Sequence, residues 1–142
     1  MKNRAKNNNM KKKKVSVTDT PEGWFYMSDA DMTAAAIKEA LADTAYAVEY
    51  WEDAQVLEIV LGEHSSMDVE VMEPYLGEEE GDAFLEKHKV QFLCYVTFPT
   101  EAYEAAKSVM EHICGGIGGF FCGDTEDFMP MIGVTGDFHN ML

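Results

Sequence analysis

From Val90 to Phe98 every second residue is apolar: Val90, Phe92, Cys94, Val96 and Phe98. Side chains on a strand point alternately to its two faces, so this spacing buries one face only if the segment is extended. Similar alternation runs through Ala45 to Trp51, Gln55 to Leu61 and Met67 to Met72. Glu52, Asp53 and Ala54 separate the first two of these runs, which reads as a hairpin. Gly23 to Met27 is a short apolar run suited to a buried strand, and Ile117 to Cys122 is a glycine-rich aromatic segment suited to a last one.

Two other stretches carry the helical period. Ala34, Ile37 and Leu41 recur at three- and four-residue spacing, with Ser28 as the expected N-cap and Asp31 three residues on. This helix is expected to run to about Asp43. Tyr103, Ala106, Val109, Met110 and Ile113 form a second stripe. Thr100 is its expected cap, Glu101 lies in its dipole-favoured first turn, and Gly115 is its expected stop. The acidic run Glu78 to Asp82 leads into a shorter helix ending near His88. The order β-α-β-β-β-α-β-α-β predicts an α+β fold: a mostly antiparallel sheet with two main helices and one short helix on one face. A ferredoxin-like core with an extra hairpin, or a related α/β sandwich, satisfies that order with short connections.

Charge divides the chain. Residues 1–14 hold seven of the eleven basic residues and no acid, whereas residues 15–142 hold four basic residues against 26 acidic ones, a net of 4 − 26 = −22. Residues 1–18 are expected to be a disordered basic tail, and residues 19–142 a single acidic domain. So negative a domain excludes binding to bare nucleic acid or an anionic membrane, which need cationic surface. It favours a cationic partner, attracted at long range and sensitive to salt.

No motif points to chemistry. Cys94, Cys114 and Cys122 are odd in number and lack C-x-x-C spacing, so no disulfide framework or zinc knuckle is implied, and a reducing cytoplasm is the expected location. His64, His88, His112 and His139 lack metal-ligand spacing, and Asp124, Glu126 and Asp127 lack the calcium-loop pattern, so neither a metal nor a cofactor is expected. The glycines from Gly115 to Asp124 follow a helix instead of preceding one and carry no lysine, unlike a phosphate loop. The basic N-terminus is not followed by an apolar segment, and the longest apolar runs are too short to span a bilayer.

Strand alternation does define a surface. If the helices cover Tyr50, Leu57, Ile59, Met67, Val69, Phe92, Cys94 and Val96, the opposite face carries Glu49, Trp51, Val56, Glu58, Val60, Asp68, Glu70, Gln91, Leu93, Tyr95 and Thr97. Carboxylates interleaved with large aromatics suit a basic partner. The expected function is therefore a non-enzymatic binding protein that neutralises a cationic protein such as a toxin. Bacterial immunity proteins and antitoxins act in this manner, an analogy of charge and size and not of motif. The expected contacts are Glu49, Trp51, Glu58, Asp68, Glu70 and Tyr95, followed by Asp124, Glu126 and Asp127. One alternative is a small-ligand binder or enzyme with a site near Gly115 to Asp127, built on Cys114, His112 and Asp124. The other is a module that self-associates through the sheet face, which its own charge would oppose.

Overall fold

In the computed structural model, which describes residues 20–133, the alternating runs assemble into one antiparallel seven-stranded sheet. The expected basic tail therefore lies outside the described residues. The first nine elements follow the expected order: β1 (Gly23–Ser28), α1 (Ala34–Ala40), β2 (Val48–Trp51), β3 (Val56–Gly62), β4 (Ser65–Met72), α2 (Glu79–Lys87), β5 (Phe92–Thr97), α3 (Tyr103–Ile117) and β6 (Phe120–Gly123); a two-residue β7 (Met131–Ile132), which was not expected, comes after them. In space the strands run β2-β3-β4-β5-β1-β6-β7. β1 is antiparallel to both β5 and β6, so the β5-α3-β6 unit brackets it with two mutually parallel strands.

One face of the sheet holds the larger core. Ile37 and Leu41 of α1 and Ala106, Val109, Met110 and Ile113 of α3 pack on Leu57, Ile59, Met67, Val69, Cys94 and Val96. Trp24 is at its centre, fully buried, with its ring about parallel to those of Phe98 and Tyr103 at 6.0 Å from each. Its indole N–H donates to the Pro21 carbonyl at 3.1 Å, which satisfies the one polar group it buries.

The short helix α2 overturns the expected one-face arrangement. Leu85 of α2 joins Phe25, Met27, Leu93, Cys122 and Phe128 in a separate cluster on the opposite face. β1 carries apolar side chains on both faces and is buried throughout, so its second face needs a cover of its own. α2 and the segment containing Phe128 supply it, with the Phe84 and Phe128 rings stacked at 4.0 Å. The sheet is thus covered on both faces around β1, β5 and β6. The fold is an α+β sandwich with an asymmetric second layer.

Local details also differ from expectation. Ser28 caps no helix; it ends β1, and its Oγ accepts from the Ala30 N–H at 3.1 Å, while α1 begins after Thr33. Short hydroxyl side chains satisfy nearby backbone groups in turns as readily as at helix ends. Thr100 opens a 3-10 turn, Thr100–Ala102, ahead of α3. α3 passes through Gly115 and ends at Gly118, at φ +81°. Gly119 follows at φ +78°, where a Cβ would come within 2.7 Å of the Met27 carbonyl oxygen. Only glycine gives both that backbone conformation and that approach. The glycine-rich stretch therefore serves to turn α3 into β6.

Candidate functional site

The second helical layer stops short of β2, β3 and most of β4, leaving that part of the sheet face open. Strand register aligns its residues in two rows. The first is Glu49, Glu58, Asp68 and Thr97, ending at Gly23 of β1. The second is Trp51, Val56, Glu70 and Tyr95, ending at Phe25. Trp51, Val56, Glu58, Asp68, Glu70, Tyr95 and Thr97 line a shallow groove of about 370 Å³. All six first-choice residues thus share one face. Glu49 lies on the edge strand beside the groove.

The chemistry of the first row is unusual for a sheet. Glu49 faces Glu58, and Glu58 faces Asp68. Directly opposed like charges on neighbouring strands destabilise a sheet. No cation among the described residues relieves them: the four basic residues of 20–133, Lys38, Lys87, Lys89 and Lys107, all lie on helices or just after one. The only ion pairs among the described residues join His64 to Glu63 and His112 to Asp43. Partial burial, and then the negative charge of Glu58, raise the Asp68 carboxyl above its usual range, opposed by a long 3.4 Å contact from the Ser66 hydroxyl.

That shift has a definite consequence for stability. A carboxyl whose pKa is raised by folding binds its proton more tightly in the folded protein. Asp68 therefore favours the fold at low pH, and this contribution is lost as pH rises through its folded-state value. Asp68→Asn is expected to stabilise the protein at about pH 7, with the gain shrinking toward about pH 4. Denaturant titrations of both proteins at the two pH values measure it, and a gain independent of pH would contradict the assignment.

An aromatic wall closes the groove on its β1 side. Tyr95 packs edge-on against Phe25, at 5.3 Å between centroids, and its hydroxyl donates to Asp124 Oδ2 at 2.7 Å. Burial and the Asp124 carboxylate push the phenol up to about 12. A Cβ on Gly23 would overlap this ring, lying 2.7 Å from its Cζ, so the absence of a side chain at Gly23 gives Tyr95 its position. Trp51, at the far end of the row, is 48% exposed. Val60, on the same face, is also exposed.

The 124–127 acids divide. Asp124 belongs to the groove rim through Tyr95. Asp127 works within its own loop, accepting from the Thr125 hydroxyl at 3.0 Å and the Met129 N–H at 3.2 Å. Glu126 is exposed. Among the described residues no three His, Cys, Asp or Glu side chains are grouped so as to hold a metal ion.

Residues named for a chemical site do not converge. His112 Nε2 lies 2.9 Å from Asp43 Oδ1, a contact that holds the Asp43 carboxyl below its usual range. Asp124 is engaged on the other side of the sheet. Cys114 packs against the helix-covered core, and burial raises its thiol to about 12. Cys114, Gly118, Gly119 and His88 do line a hollow of about 320 Å³, but neither His112 nor Asp124 reaches it. Cys94 and Cys122 are fully buried, and burial raises the Cys122 thiol to about 12. None of the three is poised as a thiolate near neutral pH.

Among the described residues no helix is long and apolar enough to cross a membrane. No family model, curated protein or solved structure matches this chain. The functional reading therefore rests on the site alone.

Proposed function

We propose that this is a non-enzymatic binding protein that docks a cationic protein on the open face of β2 to β5 and masks the partner's basic site. The supporting observation is the opposed series Glu49, Glu58 and Asp68, which works against the fold and has no cation among the described residues to relieve it. Sequences break local rules of stability mainly where function requires it. Lysine and arginine side chains arriving from a partner would relieve the repulsion, and Trp51 and Tyr95 offer aromatic surface for their stems and planes. Long-range attraction would speed the encounter, and burial of Trp51 would slow release. This is the mode of action of a bacterial immunity protein or antitoxin, and a cytoplasmic setting suits its three free cysteines. The bracketing of β1 by β5 and β6 further supports a ferredoxin-like core, with the β2-β3 hairpin extending the sheet.

The test is retention of basic proteins on immobilised full-length chain, eluted by a salt ramp from about 20 mM to about 500 mM. The expected result is a basic protein that elutes with salt and is not retained by the Glu58→Lys variant. Retention that ignores both salt and the variant would overturn the proposal.

A further inference from the structure

The chain enters the sheet at one end of the acidic face. β1 begins at Gly23, and Gly23 stands in the same row as Thr97, Asp68, Glu58 and Glu49. The chain preceding Gly23 therefore joins the sheet at the end of the carboxylate row. Lys11, Lys12, Lys13 and Lys14 form the nearest dense block of positive charge, with Lys2, Arg4 and Lys6 further upstream.

We propose that this basic segment docks on the open acidic face and acts as a tethered competitor for the cationic partner. The inference rests on the proposed function to the extent that both need the face to bind cations. Reach allows it. Neighbouring strands are about 4.8 Å apart, so Asp68 is roughly 10 Å and Glu49 roughly 19 Å across the sheet from Gly23. Lys14 precedes Thr20 by six residues, which span up to about 20 Å when extended, and Lys11 has about 30 Å. Charge complementarity favours it too, because a face of four carboxylates, with no cation on it among the described residues, is opposite in sign to four consecutive lysines. Tethering supplies an effective concentration in the millimolar range, enough to populate a weak electrostatic contact at low salt and to yield to a tighter partner. The segment would neutralise the face when the partner is absent and set a threshold for its capture.

Full-length protein with Lys11–Lys14 all changed to Gln provides the test. Backbone amide shifts of this variant are compared with those of the wild type at about 20 mM and about 500 mM salt. The expected low-salt differences fall on β2 to β5, at Glu58, Asp68, Glu70 and Thr97, and vanish at high salt. In a second arm both proteins are titrated with a synthetic lysine-rich peptide, and the variant is expected to bind roughly tenfold tighter. Shift differences confined to residues next to the mutated segment, or falling on α2, would overturn the tethered contact. Equal peptide binding by both proteins would then leave the proposed function standing. Peptide binding by neither protein would overturn the proposed function, whatever the shifts showed.

Discussion

Glu58→Lys is expected to make the protein more stable and at the same time to weaken its grip on a lysine-rich polypeptide at least tenfold. Both effects come from one position. Glu58 is the middle carboxylate of its row, facing Glu49 on one side and Asp68 on the other. A lysine there turns two like-charge cross-strand pairs into two opposite-charge pairs. Each such pair changes a sheet's stability by a few tenths of a kcal/mol up to about 1 kcal/mol, so the sum is a gain of roughly 1 kcal/mol. For an incoming cation the same change replaces an attractive group at the centre of the face by a repulsive one, and a loss of about 1.4 kcal/mol or more already amounts to tenfold in affinity. Denaturant midpoints and a titration at low salt measure the two effects on one sample. A variant that loses both stability and binding would point to an ordinary structural glutamate.

Trp24→Ala is expected to produce the largest loss of stability of any single change considered, about 3 to 5 kcal/mol. Trp24 lies on β1, an interior strand paired along both edges, and is wholly buried, with Phe98 and Tyr103 flanking its ring. Removing the ring leaves a cavity among close-packed aromatics and strips a donor from the Pro21 carbonyl. Natural domains have roughly 5 to 15 kcal/mol in total, so the variant would be marginal or unfolded at 25 °C. Its chemical denaturation curve, read by circular dichroism, decides the matter. A loss below about 1.5 kcal/mol would mean that the site relaxes freely and that Trp24 is not the keystone of the larger core.

Much of this molecule was legible in its sequence because strand alternation is a strict period. Val90 to Phe98 fixed the phase of β5, and the phases of β2, β3 and β4 then placed Glu49, Trp51, Glu58, Asp68, Glu70 and Tyr95 together on one face. What alternation does not reveal is what lies over that face. Leu93 was expected among the open-face residues and is fully buried under the second layer. The sequence did hold a signal for this, since Trp24, Phe25, Tyr26 and Met27 are large and apolar at four consecutive positions. A strand that is apolar on both faces must be covered on both. The link between Tyr95 and Asp124 joins residues 29 positions apart through a side-chain bond, and no local pattern encodes it. The cap at Ser28 and the stop at Gly115 missed for a different reason. Hydroxyl and glycine residues serve turns and helix ends alike, and tertiary packing decides between the uses.

Acidity by itself is a weak argument for a binding site, because carboxylates also keep proteins soluble. Among the described residues only four carboxylates, Glu49, Glu58, Asp68 and Glu70, stand on the open face, and acids also line α2 and α3. A binding role requires those four to be more than their share of the total charge: a dense cluster, unrelieved among the described residues, beside exposed aromatic surface. Amide shift mapping of the full-length protein, titrated at low salt with a lysine-rich peptide, tests this directly. Perturbations concentrated at Glu49 to Trp51, Val56 to Val60, Asp68 to Glu70 and Tyr95 to Thr97 are the expected result. Shifts spread evenly over the acids of the helices and the sheet would contradict it.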